Sequence, residues 1–293
     1  MPSLKDLRNR IRSVKSTQQI TKTMKMVAAA KMRRAEQAAQ MARPYGAALN
    51  RVLQDLAMSV PASSAPLLLR GRDHARKVRL VVFGSDRGLC GGFNGQIGRL
   101  VKAQIAEHKR NGKTVDIVTV GRKAYDELRL NYADLITARF DTAAREMSYA
   151  SADHIAVRLM DDFSNGKCDE VYMLFSTFVN VLRQDPTVVK LIPFRPEAET
   201  STQSIVEARP AVEYEPEEEV ILQRLLPLNV ATQLFRALLE TQASEQGARM
   251  SAMDSATRNA GDMIGRLGLQ YNRQRQANIT REITEIVSGA EAL

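Results

Sequence analysis

The sequence contains no tryptophan, and aromatic residues make up only 5% of it. A hydrophobic content of 44% is enough for a core. That core must be built from Leu, Val, Ile, Ala and Met, the composition of helices packed at close range. There are two cysteines, Cys90 and Cys168. Their number and spacing exclude a disulfide framework and a thiolate metal site, and fit a reducing compartment. The three histidines, His74, His108 and His154, are scattered. None stands at a spacing that ties it to a cysteine or carboxylate for metal ligation or nucleophilic catalysis, and each reads as a surface residue. No run of about 18 apolar residues occurs, so no segment qualifies as a membrane-spanning helix. The opening Met-Pro-Ser-Leu-Lys-Asp lacks the apolar stretch of a signal peptide, and Asp6 argues against a transit peptide. A cytoplasmic chain is expected.

What the sequence does have is charge in one place. The formal net charge is +9, and residues 1–60 hold twelve Lys or Arg against Asp6, Glu36 and Asp55. The first fifth of the chain therefore accounts for the whole excess. Such asymmetry points to a basic arm facing an acidic partner, whether nucleic acid, anionic lipid or protein, with a merely solvated basic face as the alternative.

A length of 293 residues exceeds the usual single domain. The first segment, Leu4 to Val60, reads as one helix with Ser3 as N-cap. Stepping by seven from Leu7 gives Val14, Thr21, Ala28, Ala35, Ala42, Leu49 and Leu56. The companion stripe is Leu4, Ile11, Gln18, Lys25, Met32, Ala39, Gly46 and Leu53. A sustained seven-residue repeat predicts a left-handed coiled coil. At a rise of about 1.5 Å per residue the helix would extend roughly 80 Å, with a kink expected at Pro44. The last segment carries the matching stripe Leu239, Ala243, Gln246, Met250, Met253, Thr257, Ala260, Ile264, Leu267 and Tyr271. Past Tyr271 that stripe turns polar, while Ile279, Ile283 and Ile286 open a fresh apolar face and Gly289 reads as a stop. The simplest pairing joins the two ends of one chain antiparallel; pairing of each with another chain is the alternative.

Between them the period changes. Lys77–Phe83, Thr114–Val120, Glu170–Phe178 and Val188–Phe194 read as strands. Asn94–Arg110, Arg122–Leu130 and Ser148–Phe163 read as helices. Alternating strands and helices predict a Rossmann-like α/β domain with a largely parallel sheet. The expected organisation is a helix over 1–60, an α/β domain over 70–195, an acidic, proline-containing linker over 196–219, and a second long helix over 220–293, with Pro227 breaking or kinking its start.

The run Gly88-Leu-Cys-Gly-Gly-Phe-Asn-Gly95 follows a strand and opens a helix, where phosphate-binding loops sit. Its spacing matches neither dinucleotide nor triphosphate loops. Close packing of strand on helix is the better reading, nucleotide binding the lesser one, and Asp86 and Arg87 are expected to cap or pair locally. Cys90, at a helix start, is either a reactive thiol or simply a small residue that fits. The segment Met24–Arg34 mixes Met and Ala with charge on all sides, which suggests a helix enclosed by a larger assembly. It lacks the base-reading clusters that would favour DNA.

Four stretches together resemble the gamma subunits of bacterial F-type, proton-translocating ATP synthases. They are Leu4–Arg34 (LKDLRNRIRSVKSTQQITKTMKMVAAAKMRR), Asp86–Asn94 (DRGLCGGFN), Ala243–Met253 (ASEQGARMSAM) and Asn272–Ala290 (NRQRQANITREITEIVSGA). They stand in the family's order and reach from end to end. The resemblance implies an α/β domain carrying an antiparallel coiled coil that turns as a central rotor shaft. Its partners would be three alpha and three beta subunits, an epsilon subunit and the ring of c subunits, with no cofactor, no active site of its own and no nucleic acid. It implies that Met24, Lys25, Lys31, Arg33 and Arg34 face an acidic loop of the beta subunit. It likewise implies that Arg249, Gln276, Thr280 and Glu285 serve coupling, and that Ile283, Ile286 and Val287 turn in an apolar sleeve. Localisation would be peripheral, at the cytoplasmic face of the bacterial inner membrane. No cysteine-bearing insert of the chloroplast type occurs.

Overall fold

The computed structural model describes residues 3–61, 64–141, 148–195 and 217–291. The element order is α1 (Leu4–Ser59), α2 (Leu67–Arg70), β1 (Lys77–Phe83), α3 (Phe93–Arg110), β2 (Thr114–Val120), α4 (Arg122–Tyr132), β3 (Ile136–Phe140), α5 (Tyr149–Ser164), β4 (Glu170–Phe178), β5 (Gln184–Ile192) and α6 (Glu218–Glu291). A single 3-10 turn, Ala133–Leu135, leads into β3. Two compact units result, one of residues 1–30 with 249–293 and one of residues 31–248, and α1 and α6 contribute to both.

In the larger unit, β1, β2 and β4 are largely apolar runs of the kind that suits a strand covered on both faces. The sheet order is β3-β2-β1-β4-β5. β2 and β4 pair with β1 in parallel, and β3 pairs with β2 in parallel. β5 returns antiparallel to β4 through the turn at Asn180, whose side chain accepts the Leu182 and Arg183 N–H groups. The sheet is thus mixed, and the expectation of four strands missed β3 and the first half of β5. Val81, Phe83, Val118, Val120, Met173 and Phe175 turn to one face, where α5 and the stretch of α6 from Val230 to Leu238 cover them. Val78, Leu80, Val82, Val115, Ile117 and Leu174 turn to the other, under α3 and α4. Alternation along each strand sends successive side chains to opposite layers. A third cluster joins Leu49, Leu53 and Leu56 of α1 to Leu222 and Leu226 of α6 and to Phe194.

Neither proline ends its helix. Pro44 and Pro227 lie inside α1 and α6. Each forfeits a backbone hydrogen bond, a penalty of about 3 kcal/mol. Burial of Leu49, Leu53 and Leu56 on one helix and Leu222, Leu226 and Val230 on the other offsets it. α6 also begins at Glu218, inside the stretch read as linker, and runs past Gly289 to Glu291. The rest of that linker reading, residues 196–216, lies outside the described residues.

Buried charge ties the sheet to its layers. Arg79 is 4% exposed and donates twice to Asp116, at 2.7 and 2.8 Å, and also to Asp162 of α5. Lys167 completes the cluster, 2.9 Å from Asp162. Asp169 accepts the Arg76 and Lys77 N–H groups, both at 2.9 Å, and so closes the entry to β1. On α6, Glu240 accepts the Phe178 N–H at 3.0 Å and pairs with Arg43 at 3.3 Å. Ser244 donates to the Ser176 carbonyl at 2.9 Å, so two polar contacts hold the helix to the end of β4.

Candidate functional site

The smaller unit consists of α1 up to Ala30 and α6 from Arg249. Its helix start is a reciprocal box: Ser3 Oγ accepts the Asp6 N–H at 3.2 Å, and Asp6 Oδ2 accepts the Ser3 N–H at 3.1 Å. Ser3 Oγ also donates to Asp6 Oδ2 at 2.7 Å, and this bond, with that from the Ser3 N–H, lowers the Asp6 pKa. The seven-residue stripe reads true here, with Leu7, Thr21 and Ala28 buried and Ile11, Val14 and Gln18 half-buried. Opposite them on α6 lie Met253 and Ala260, buried, and Thr257, Ile264, Leu267 and Tyr271, half-buried. Cross-helix contacts fix an antiparallel register within one chain. Lys25 Nζ meets Asp254 Oδ1 at 2.6 Å, Thr257 Oγ1 donates to Thr21 Oγ1 at 2.8 Å, and Arg8 donates to the Tyr271 hydroxyl at 2.9 Å. Side chains at Gly261 would crowd Gln18, whose amide lies 3.1 Å from the position of a Cβ.

The residues singled out from the sequence fall into three environments. Met24 and Lys25 are half-buried in the seam between the helices, and Lys25 already holds a carboxylate of its own chain. Lys31, Arg33 and Arg34, in the other unit, are exposed. Ile20, Met26 and Val27 are also exposed, at 50% or more, so the outer surface of α1 interleaves apolar side chains with cations. Gln276, Thr280 and Glu285 are exposed, as are Ile283, Ile286 and Val287. Arg249 differs: it is only 8% exposed. Its burial has no signal in the sequence, where it reads like the surface arginines around it.

The glycine-rich turn after β1 caps a helix. α4 begins at Gly121 without a side-chain cap of its own. Its first N–H groups are taken instead by the turn: Arg122 donates to Asp86 Oδ1 at 3.1 Å and Lys123 to the Ser85 carbonyl at 2.8 Å. Asn94 latches the turn, accepting the Ser85 N–H at 3.1 Å and donating to Ser85 Oγ at 2.8 Å. Asp86 thus caps locally, as its place predicted. The close packing expected of the glycine run lies elsewhere, however. Positions 88, 92 and 95 face open space, whereas a Cβ at Gly84 would sit 2.7 Å from the Ala124 Cβ and one at Gly121 only 2.4 Å from the Gly84 carbonyl oxygen.

Both thiols are buried. Asn94 donates to Cys90 Sγ at 3.4 Å, and burial pushes the Cys168 thiol up to about 11. Neither is expected to react with a maleimide in the native chain at neutral pH, and both should react in denaturant. Fast native labelling of Cys90 would revive the reactive-thiol reading. His74 and His154 are exposed as expected, but His108 is 7% exposed and packs against Tyr172, with ring centroids 5.0 Å apart. Among the described residues no group of three His, Cys, Asp or Glu side chains is placed to hold a metal ion, and no helix is long and apolar enough to cross a membrane.

Chains of solved ATP synthase structures share this fold. The rotor chain of the Euglena gracilis mitochondrial ATP synthase shares it with a TM-score of 0.65 at 16% identity, over 94% of this chain and 98% of that one. A chain of the same organism's OSCP/F1/c-ring structure shares it with a TM-score of 0.69 at 17% identity, over 99% and 94%. The family model described as ATP synthase matches residues 3–293. The chain belongs to that family. Its relatives include the ATP synthase gamma chain of Rhizobium etli, 50% identical, and that of Roseobacter denitrificans, 51% identical, each aligned over the full length of both chains.

Proposed function

We propose that this chain is the rotor shaft of a proton-translocating ATP synthase, turning within a ring of three alpha and three beta subunits and carrying no active site of its own. Full-length identity of about half to gamma chains is the observation that carries the reading. The foot of the shaft stands on the c ring and the epsilon subunit, so the chain is peripheral, at the cytoplasmic face of the bacterial inner membrane.

The surface suits the task. A shaft that meets three equivalent partners in turn must not adhere to any one of them, and solvent-exposed ion pairs are exchanged readily. Lys31, Arg33 and Arg34 present cations to an acidic loop of the beta subunit. Lys25 can leave Asp254 for the same loop, because both side chains are more than a third exposed, and Met24 packs beside it. The exposed Ile283, Ile286 and Val287 turn in an apolar sleeve, flanked by Gln276, Thr280 and Glu285. Arg249, being buried, serves coupling by holding α6 in place rather than by offering a surface contact. Differential contacts of an asymmetric shaft shift which catalytic site of the ring is open.

Reconstitution with matching alpha and beta subunits tests this. One copy per ring is expected, with multisite ATP hydrolysis that depends on its presence. Hydrolysis indifferent to the chain, or tight binding of ATP or NAD by the chain alone, overturns the reading.

A further inference from the structure

His108 stands in the last turn of α3, beneath the sheet end where β2 and β4 begin. It is more than nine-tenths buried, and among the described residues its Nε2 has no hydrogen-bond partner. Its ring leans on Tyr172 of β4 at 5.0 Å between centroids. Around it the charge is mostly positive. Lys113, in the turn from α3 to β2, and Lys190 of β5 both bind Glu170 of β4, the second at 2.6 Å. Lys190 also lies over the Tyr172 ring, 5.6 Å from its centroid. Glu107 on α3 itself is exposed, as are Lys109, Arg110 and, beyond β5, Arg195. β1 turns Val78, Leu80 and Val82 to this layer and β2 turns Val115 and Ile117, and α4 packs there with Ala124 and Leu128. The charges of α4 are spent elsewhere, Asp126 on Lys123 and Arg129, and Glu127 against Gly98 near the other end of α3.

We propose that His108 is an acid-sensitive pin: as a neutral imidazole it seats the last turn of α3 on β4 and β5, and on protonation it leaves and loosens that corner. The corner is built to respond. The Lys113 N–H donates to the His108 carbonyl at 3.0 Å, and the Asn111 and Gly112 N–H groups close on the same turn. Moving the histidine therefore disturbs the helix end and the entry to β2 together. A third cation inserted beside Lys113 and Lys190 would face one buried carboxylate, Glu170, that those two lysines already saturate. A helix C-terminus favours a cation, but that attraction acts on an exposed charge, and here burial opposes it.

The protonation balance agrees in sign. Burial, followed by the nearness of Lys113, holds the His108 pKa below its ordinary value of 6.5, against a weaker opposing pull from Glu107 and Glu170. The unfolded or loosened state then binds the proton more readily than the seated one. Stability of the corner is complete above about pH 6.5 and falls as the pH drops through that value, levelling off only below the seated pKa. The inference concerns the α/β domain and stands whether or not the chain turns as a shaft.

Hydrogen exchange on the full-length chain, corrected for the intrinsic effect of pH, reads the pin directly. Between pH 7.5 and 5.5, protection of residues 104–113 should fall by up to about tenfold, because pH 5.5 lies about one unit below the ordinary imidazole pKa, while α4 keeps its protection. In His108→Gln the same residues should lose the pH dependence. Glu170→Gln removes the buried counter-charge and should lower the seated pKa further, so that the loss begins at the same pH but levels off at a lower one. Unchanged protection in the parent chain, or the same loss in His108→Gln, overturns the proposal. Should the glutamine variant not fold, the imidazole titration of the parent chain, followed by NMR, decides: a value below 6.5 is expected, and one at or above it sinks the idea.

Discussion

Replacing Gly121 by alanine should unfold the α/β domain under conditions in which the parent chain is stable. Gly121 has φ +100 and forms the joint between β2 and α4. Its N–H donates to the Phe140 carbonyl at 2.8 Å, and Gly84 donates to the Val120 carbonyl at 2.9 Å, so two neighbouring chains cross at this point with almost no space between them. An added Cβ would lie 2.4 Å from the Gly84 oxygen and 2.9 Å from its carbonyl carbon. These are backbone atoms of the central strand and its exit, which cannot swing aside as a side-chain tip can. The unfavourable φ alone costs about 1–3 kcal/mol, and forcing atoms into a packed site typically adds another ~1–3 kcal/mol. Together they approach the ~5–15 kcal/mol that holds a whole domain. Gly112 is the control: its φ is +71, but nothing lies within 4 Å of a Cβ there. Gly112→Ala should lose only the backbone part. Urea unfolding followed by circular dichroism separates the two, and equal midpoints for both variants would mean that the close approach at Gly121 is not real.

The second large effect is expected at Arg79. Arg79→Met should destabilise the domain by about 3–5 kcal/mol, the usual cost of removing one partner from a buried ion pair. Arg79 has two acidic partners, Asp116 on the neighbouring strand and Asp162 on α5, and its side chain is 4% exposed. Asp162 retains Lys167 and Arg158, whose exposed side chains can still reach it. Asp116 is 24% exposed, so water that reaches it keeps the cost toward the low end of that range. Acid should act through the same cluster. Burial tends to raise the Asp162 pKa, but the hydrogen bonds from Lys167 and Arg79 outweigh it and leave the carboxyl below its ordinary value of 3.8. A depressed carboxylate stabilises above the unfolded pKa, and the benefit is lost as pH falls through the folded one. The parent chain should therefore lose stability with a steep slope below about pH 4, and Arg79→Met should show a shallower one. Replacing Arg79, Asp116 and Asp162 together by apolar residues should recover much of the loss, because no charge is then left stranded. A single Met variant as stable as the parent would show that the cluster contributes little.

The helical ends were legible because one period governs them. Every position of the two α1 stripes, from Leu4 and Leu7 to Leu53 and Leu56, is buried or half-buried, and so is every stripe position of α6 from Leu239 to Tyr271. Beyond Tyr271 the stripe turns polar, with Gln274 and Asn278 half-buried, and the apolar face of Ile279, Ile283 and Ile286 is exposed. The interior strands were legible because burial on both sides demands unbroken apolar runs. Edge strands have weaker signatures. β3, Ile-Thr-Ala-Arg-Phe, is half-buried on alternate residues, a period of two that five residues barely display. The start of β5 carries Asp185 and Pro186, residues disfavoured in strands, yet an edge strand tolerates a proline whose missing N–H faces no neighbour.

What the sequence determined by itself is therefore periodic or local: two helices with matched seven-residue stripes, an α/β middle, a basic first arm, the Ser3 cap and the capping role of Asp86. These follow from side chains acting within a turn or two of their own position, or from a repeat long enough to declare which face is buried. The tertiary structure alone decided matters that depend on residues far apart in the chain. It made β5 antiparallel, moved the close glycine contact from the 88–95 run to Gly84 and Gly121, and buried Arg249 and His108. Each of these is settled by what a neighbouring layer places against the residue, and neither composition nor spacing records that neighbour.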